Sequence, residues 1–284
     1  MDCLSAKQWI CVGLMLSVLF GCGSDQPVTS RSSGLIIPDP ELNAAVRRAI
    51  QKPTGDILPG DVAGLTWFSA AKHDVRDLKG IEKLTALRSL DLSSNRISDI
   101  TPLSGLPSLE LLYLNNNVIR DASALSGMTS LVTLDLSGNE IESVLGLGTL
   151  KELRLLYLNG NLIEDLSPLT TLTSLEILFL SNNRIHDIGP LTGLISLDTL
   201  YLSSNQVEDI TPLLNLIALN YLSLFGNLII EITPLLNNPG IGTFDTVVLT
   251  ENPLNELAIS VQIPELEARR VTVIVPPEVS ILGS

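Results

Sequence analysis

Asparagine returns at a fixed interval of 22 residues through the middle of this 284-residue chain. The seven positions are Asn95, Asn117, Asn139, Asn161, Asn183, Asn205 and Asn227. Each asparagine ends the same sequence motif of alternating leucines, as in residues 109–117 (LELLYLNNN). So long and regular a period predicts an array of similar units stacked side by side. A single unit cannot bury its own leucines, so the core must form between neighbouring units.

The leucine motif and the proline that follows it predict a strand and a short turn in each unit. Leucines at alternate positions turn one face of a strand inward, and the fixed period sets these strands side by side in a parallel sheet. Proline comes seven residues after five of the asparagines, at Pro102, Pro168, Pro190, Pro212 and Pro234. Proline suits the first turn of a helix and breaks its interior, which predicts turns and short 3₁₀ segments on the outer side. The asparagine amide has both donors and an acceptor, so it should link the turns of adjacent units.

These motifs resemble the leucine-rich repeats of bacterial internalins and of phosphatase-regulating subunits, which belong to the short, 22-residue class. The resemblance covers about residues 65–254. The resemblance implies an α/β solenoid with a curved parallel sheet on its concave face and turns and short 3₁₀ segments on its convex face. It also implies binding of another protein by the concave face, by analogy of fold alone. We therefore predict one continuous solenoid rather than two domains.

The two ends of the array depart from the repeat. The first unit has His73 in place of asparagine, and before it residues 40–50 (PELNAAVRRAI) predict an amphipathic helix that caps the first strand edge. The unit after Asn227 is three residues longer than the others, and residues 265–269 and 271–275 then predict a final helix and strand. We assign residues 35–64 to an N-terminal helical cap, 65–254 to the array and 255–284 to a C-terminal cap.

The first residues of the chain predict a secretory signal. Residues 9–20 (WICVGLMLSVLF) are mostly apolar and follow Lys7. They are too few to span a bilayer, which takes about 20 residues, and they fit the apolar region of a secretory signal. The run ends in residues 19–22 (LFGC), which resemble the bacterial lipobox, although Phe20 stands where a small residue is usual.

The lipobox resemblance implies an anchored protein of the bacterial cell envelope. Residues 1–21 would be removed as a signal peptide, Cys22 would be diacylated, and the polar residues 22–34 would form a flexible tether. Gly23, rather than aspartate, follows the cysteine, which in lipoproteins of enterobacterial type favours the outer membrane. The alternative is a simple cleaved signal with an incidental cysteine.

Charge and motifs exclude several kinds of function. There are 31 acidic and 17 basic residues, and the net charge of −14 argues against nucleic acid, whose binding needs clustered cations. The sequence has no nucleophile, zinc-protease or phosphate-loop motif, and its two histidines, His73 and His186, lie about five repeats apart. We predict that the protein is not an enzyme, has no catalytic residue, no metal site and no cofactor, and is a monomer.

A column of mostly acidic residues runs along the predicted convex turns. Its members are Asp77, Asp99, Asp121, Asp165, Asp187, Asp209 and Glu231, with Ser143 in the gap. One interpretation is a ladder of carboxylates that binds cations. The other is that each aspartate accepts backbone N–H bonds within its own turn. We favour the second, because one carboxylate per unit supplies too few oxygens for Ca²⁺, which takes about 6–8.

The residues on either side of the inward leucine in each strand point outward, onto the concave face. Four positions before the asparagine stand Tyr113, Tyr157, Phe179 and Tyr201, and six positions before it stand Trp67, Leu155, Ile177 and Tyr221. Strand propensity explains why aromatic residues occupy strands, but not why all the tyrosines share the outward side. Solvent-facing aromatic and aliphatic side chains mark an interaction surface, so we predict that these eight residues bind a ligand. Small polar neighbours predict a rim around it: Asn159, Gly160, Ser181, Asn182, Ser203 and Ser204.

The sequence thus predicts an envelope lipoprotein that binds another protein or a peptide through its concave face. Two alternatives stay open: a structural envelope component without a discrete ligand, and a carbohydrate-binding protein that uses the tyrosines. Removing the side chains of Tyr157 and Tyr201 should abolish binding and leave stability nearly unchanged, because neither ring points into the leucine core.

Overall fold

The computed structural model describes residues 34–275. Within this range, ten strands of three residues each form one parallel sheet in chain order, which confirms the predicted solenoid. The strands are β1 (Trp67–Ser69), β2 (Ser89–Asp91), β3 (Leu111–Tyr113), β4 (Thr133–Asp135), β5 (Leu155–Tyr157), β6 (Ile177–Phe179), β7 (Thr199–Tyr201), β8 (Tyr221–Ser223), β9 (Thr246–Val248) and β10 (Thr272–Ile274). The predicted signal peptide, Cys22 and residues 22–33 of the predicted tether lie outside the described residues.

The middle residue of each strand points into the core. Leu156 of β5 lies in register with Leu134 of β4 and Leu178 of β6, and all three are fully buried. Burying a leucine side chain stabilises a fold by about 1.5–3 kcal/mol, and here each leucine is covered by its counterparts in the two adjacent repeats. The first and third residues of β5 are only half-buried, so the alternation of the sequence becomes one buried row and two outward columns.

Short helical segments form the opposite, convex side. Seven are 3₁₀ helices: Ile81–Lys83, Thr101–Gly105, Ser123–Leu125, Leu145–Thr149, Ser167–Thr171, Gly189–Leu191 and Thr211–Asn215. Proline occupies the first turn of four of them, where a missing N–H leaves no hydrogen bond unmade. This confirms the predicted convex side. The longer unit after Asn227 instead carries a short α-helix, α3 (Thr233–Asn237).

The repeated asparagines join adjacent repeats through their side chains. Nδ2 of Asn161 donates to the carbonyls of Leu136 and Leu158, both at 3.0 Å, and Oδ1 accepts the N–H of Ile141 at 3.0 Å. Leu136 and Ile141 belong to the preceding repeat, so one side chain ties two units together. We call the whole set the asparagine ladder. The same three bonds recur at Asn95, Asn117, Asn139, Asn183, Asn205 and Asn227, and at Asn252, which the sequence analysis did not include.

From residue 34 onward, two helices precede the first strand: α1 (Pro40–Ala49) and α2 (Pro59–Val62). Helix α1 confirms the predicted N-terminal cap helix. Asp39 begins α1 and joins it to the first repeat. Its carboxylate accepts four backbone N–H groups at 2.9–3.1 Å, from Glu41, Leu42, Arg76 and Asp77. Burial opposes the ionisation of Asp39, but these four bonds outweigh it and lower its pKa.

The C-terminal end differs in detail from the prediction. Helix α4 covers Ile263–Ala268, so it begins two residues before the predicted 265–269, and it continues directly from a π-helical turn at Ala258–Gln262. Pro264 lies in the first turn of α4, where proline is tolerated. Strand β10 falls within the predicted residues 271–275.

The three extra residues of the unit after Asn227 change one side chain's surroundings. Phe244 stands at the position where the preceding repeat has the buried Leu219, yet it is 84% exposed and has a φ of 76°. Ile241, three residues earlier, is buried instead. The insertion is therefore absorbed just before β9, and the strand itself keeps its register with β8.

Candidate functional site

The eight residues of the predicted binding face all lie on the outward side of the sheet. They are Trp67, Tyr113, Leu155, Tyr157, Ile177, Phe179, Tyr201 and Tyr221. Trp67 is 62% exposed, and the other seven are half-buried. Each lies one position before or after a fully buried leucine or phenylalanine of its strand, and this alternation fixes its outward direction.

Four aromatic rings on consecutive strands form one continuous stack. The ring centroids of Tyr157 and Phe179 are 4.9 Å apart at an interplanar angle of 22°. Those of Phe179 and Tyr201 are 4.4 Å apart at 10°, and those of Tyr201 and Tyr221 are 4.8 Å apart at 24°. We call these four rings the aromatic stack.

The fourth ring comes from the other outward column. Tyr221 is the first residue of β8, whereas the other three rings are the third residues of their strands. The third residue of β8 is Ser223, which is small and buried, with its hydroxyl 2.7 Å from that of Ser203. Because no large side chain occupies that position, the ring of Tyr221 can lie against Tyr201. The sequence columns alone place Tyr221 beside the stack rather than in it.

Stacking determines which part of each ring a ligand can reach. Both faces of Phe179 and of Tyr201 are covered by neighbouring rings, so these two residues offer edges and one hydroxyl. Tyr157 stacks on one ring only, and its other face is turned toward β4. Burial raises the pKa of Tyr157, helped by the charge of Asp135 and by Tyr113. Burial, together with a hydrogen bond that the Tyr201 hydroxyl donates to Tyr221, raises the pKa of Tyr201. These hydroxyls are therefore protonated at neutral pH and able to donate.

The remaining predicted residues do not join the stack. Leu155 and Ile177 lie in register on β5 and β6 and form an aliphatic pair beside the first two rings. Tyr113 lies on β3, two strands from Tyr157, and Trp67 lies on β1 at the N-terminal end of the sheet. The predicted face therefore consists of one compact aromatic stack with its aliphatic pair, and two aromatic residues that stand apart from it.

A neutral polar rim follows the strands, and its backbone has a feature that the sequence analysis missed. The residue before each asparagine of the ladder has a positive φ of 56–66°: Ser94, Asn116, Gly138, Gly160, Asn182, Ser204, Gly226 and Glu251. Small and asparagine side chains tolerate this left-handed conformation, and the recurrence of Ser, Asn and Gly at this position is the signal that could have revealed it. At Gly138 a Cβ would lie 2.6 Å from Oδ1 of Asn116, so a larger residue there would require the Asn116 side chain to move.

Charged residues border the opposite edge of the strands, and the sequence analysis did not single them out. Arg88 pairs with Glu110 of the next repeat, and Nε of Arg154 donates to Glu176 at 2.9 Å. These pairs are half-exposed, and such surface pairs contribute only about 0–1 kcal/mol each. Opposite charges separated by one repeat length are the sequence signal for them.

The convex aspartates bond to their own turns. Asp77, Asp99, Asp121, Asp165, Asp187 and Asp209 each accept the N–H two residues ahead at 2.7–2.8 Å, and Ser143 does so at 3.3 Å. The hydroxyl and N–H of Thr101 lower the pKa of Asp99, and the N–H and hydroxyl of Ser167 lower that of Asp165. Over residues 34–275, no group of three or more His, Cys, Asp or Glu side chains could hold a metal ion. This geometry supports the interpretation in which each aspartate accepts a backbone N–H bond within its own turn.

The two histidines have separate surroundings. The N–H of His73 donates to Oδ1 of Asn95 at 3.1 Å, and its ring Nδ1 lies 2.6 Å from the carbonyl of Ala71. His186 is exposed on the convex side. In the part of the chain that the structure describes, no helix is both long and apolar enough to cross a membrane.

Comparisons with known proteins agree with this architecture. The family model described as "Leucine Rich repeats (2 copies)" matches residues 85–127, 107–149, 129–171, 151–193 and 173–215. The crystal structure of an internalin C2 from Listeria monocytogenes is 35% identical, with a TM-score of 0.71, and the match covers 79% of this chain and 96% of that one. Comparison with curated proteins gives no match.

Two further structures share the fold at lower identity. The functional domain of InlJ from Listeria monocytogenes, which includes a cysteine ladder, is 22% identical with a TM-score of 0.54, and the match covers 84% of this chain and 59% of that one. A leucine-rich-repeat protein of Leptospira interrogans is 21% identical with a TM-score of 0.53, and the match covers 72% of this chain and 60% of that one.

The chain belongs to the leucine-rich-repeat family. The structural neighbours described above are bacterial, and they include an internalin. Folds of this class are typically scaffolds for protein interaction and not enzymes, in line with the outward aromatic surface of this sheet.

Proposed function

We propose that this protein is an envelope lipoprotein that binds another protein or a peptide through its concave face. The aromatic stack carries the proposal, because it gathers four half-buried rings and an aliphatic pair into one continuous outward strip. An aromatic centre bordered by small polar residues is the usual anatomy of a protein interface. Tyrosine is also frequent among the residues whose truncation weakens binding by about 2 kcal/mol or more.

Ring geometry favours a protein ligand over a carbohydrate. A sugar packs its C–H groups against the open face of an aromatic ring, but the faces of Phe179 and Tyr201 are occupied by other rings. Between its two terminal rings, the strip offers ring edges, which carry partial positive charge, and hydroxyl donors. Such a surface suits aliphatic groups, the faces of a partner's aromatic rings and backbone carbonyls, all of which a polypeptide supplies.

The second part of the proposal is anchoring through Cys22. It rests on residues 19–22, which resemble a lipobox, and on the apolar run that precedes them. Each buried CH₂ of an acyl chain contributes about 0.8 kcal/mol to membrane binding, so a diacylated cysteine would hold the protein at the membrane. Gly23 after the cysteine favours the outer membrane, with the repeat array facing the periplasm or the cell surface.

A binding experiment with paired variants tests the concave face. The full chain, purified in detergent, captures proteins from an envelope extract, and the dominant captured protein is purified for a binding isotherm. Tyr157→Ala with Tyr201→Ala should weaken its affinity by about thirtyfold or more, the equivalent of about 2 kcal/mol. The matched control is Ile195→Ala with Ile217→Ala, which removes two side chains that are each 57% exposed and lie outside the strands.

The outcomes separate the candidate functions. Full affinity in the tyrosine variant, or an equal loss in the isoleucine control, would move the binding site off the concave face. An absence of any saturable partner would favour the structural envelope component. Thermal unfolding of both variants is needed as well, since each stacked pair contributes about 0.5–1.5 kcal/mol and the tyrosine variant breaks all three pairs. Because of this stacking, we expect the tyrosine variant to lose a moderate part of its stability, whereas the sequence alone predicted almost no change.

A further inference from the structure

A carboxylate separates the aromatic stack from the isolated Tyr113. Tyr113, Asp135 and Tyr157 are the third residues of β3, β4 and β5, and they lie directly in register across the sheet. Adjacent strands are about 4.8 Å apart, so the two tyrosines flank Asp135 at about that distance on either side. Tyr157 stacks on Phe179 with one face, which leaves its other face turned toward Asp135. We call the space between the two tyrosines the Asp135 slot.

Asp135 has acceptor capacity that its surroundings do not use. Its Oδ1 accepts the N–H of Ser137 at 2.9 Å, and within residues 34–275 no hydrogen bond reaches Oδ2 and no lysine or arginine pairs with it. Asp91, two strands earlier in the same column, differs. It accepts the N–H and the hydroxyl of Ser93 at 3.0 and 2.7 Å, and a third bond from Ser69 at 3.4 Å. Only Asp135 therefore combines a spare carboxylate oxygen with a tyrosine on each side.

We infer that the Asp135 slot binds the cationic side chain of a lysine or arginine from the partner. A cation above Asp135 would lie between two tyrosines whose strands are each about 4.8 Å away, a spacing within the roughly 6 Å over which a ring face attracts a cation. The spare oxygen would accept its N–H groups in a charge-assisted bond. The net charge of −14 also favours encounter with a cationic partner.

This inference rests on the proposed function and specifies the partner's chemistry. The slot lies two strands from Phe179, a distance of about 9.6 Å, which an extended peptide covers in about three residues. The partner segment should therefore carry a lysine or arginine and, about three residues away, an apolar or aromatic side chain that lies over the aromatic stack.

Fluorine NMR can test the slot without the partner. The chain has four tyrosines, all on the concave face, so labelling with 3-fluorotyrosine gives four signals that single Tyr→Phe variants assign. The full chain in detergent is titrated with N-acetyl-arginine methylamide, and separately with the citrulline analogue, which has the same shape and no charge. We expect the signals of Tyr113 and Tyr157 to shift saturably with the arginine probe, with the citrulline probe about tenfold weaker.

Asp135→Asn supplies the decisive variant, because asparagine keeps the bond from Ser137 and loses the charge. Its affinity for the arginine probe should fall about tenfold, while the unshifted signals of Tyr201 and Tyr221 report an intact fold. Equal binding of the two probes, unchanged affinity in Asp135→Asn, or no movement of the Tyr113 and Tyr157 signals would overturn the inference. Since the probe needs no partner, its result is independent of the capture experiment, and either proposal can fail alone.

Discussion

Replacing Asn161 by alanine should destabilise the repeat array by about 2 kcal/mol, and the size of the loss follows from the bonds that remain. Asn161 is 5% exposed and makes three buried hydrogen bonds. After the replacement, the carbonyl of Leu136 keeps its bond from Asn139, and that of Leu158 keeps its bond from Asn183. The N–H of Ile141 loses its bond to Oδ1 and has no other. A buried donor left without a partner costs about 1–3 kcal/mol, so this single N–H dominates the loss.

Urea unfolding followed by circular dichroism measures this loss. With an m-value of about 3 kcal/mol per molar urea for a domain of this size, 2 kcal/mol corresponds to a midpoint lowered by about 0.7 M. Gln206→Ala is the matched control, because it removes an exposed amide side chain in the same array and should shift the midpoint very little.

The same titration compares the middle of the array with its end. His73 occupies the asparagine position of the first unit, and its ring makes one hydrogen bond, with the carbonyl of Ala71. His73→Ala should therefore cost less than Asn161→Ala. Equal midpoints for Asn161→Ala and either control would refute a stabilising role for the asparagine ladder. A changed slope of the transition would indicate that the units no longer unfold together.

Two further predictions concern anchoring and acid stability. Cys22→Ser should leave unprocessed or mislocalised protein, and in detergent phase partition the wild type should enter the detergent phase; wild-type protein found wholly in the aqueous phase would contradict lipidation. Hydrogen bonds from their own turns lower the pKa values of Asp99, Asp121, Asp165 and Asp209. The stability that these bonds add is complete above the unfolded-state pKa of about 3.9 and is lost as pH falls through the lower folded-state values. The urea concentration at the unfolding midpoint should thus decrease when the pH is lowered below about 4. In the double variant Asp165→Asn with Asp209→Asn, this decrease should be less steep. Identical pH profiles for the variant and the wild type would refute the role of these aspartates in bonding to their turns.

The fold could be predicted because one feature repeats without interruption. A fixed period forces each strand to lie beside its counterpart, so the register of Leu134, Leu156 and Leu178 follows from sequence spacing alone. Local chemistry supports the same solution, since proline lies in the first turn of four of the seven 3₁₀ segments, and Ser, Asn or Gly precedes each of the seven asparagines at the 22-residue period. Where global pattern and local preference agree, a sequence specifies its fold strongly.

Two details of the structure were not predicted, because they depend on the residues that surround a side chain in space. Tyr221 joins the aromatic stack because Ser223 leaves a place beside Tyr201, and the column assignment of Tyr221 says nothing about its neighbour's size. Phe244 becomes exposed because the three extra residues put Ile241 in its place in the core. The deciding quantity is the volume of a neighbouring side chain in the first case and the point at which the insertion is absorbed in the second, and a repeat count contains neither.

The geometry of the sheet also explains why the order of residues in one column can determine what this face binds. Strands about 4.8 Å apart hold consecutive rings at nearly the distance of stacked aromatic groups, and the observed centroid separations of 4.4–4.9 Å match it. An unbroken run of aromatic residues therefore closes its own faces and presents edges to a ligand. A single small acidic residue within the run, such as Asp135, doubles the spacing of the strands that carry the flanking tyrosines and places a negative charge between them. The same backbone thus provides an apolar strip and a cation slot side by side, and the change from one to the other takes one residue per repeat.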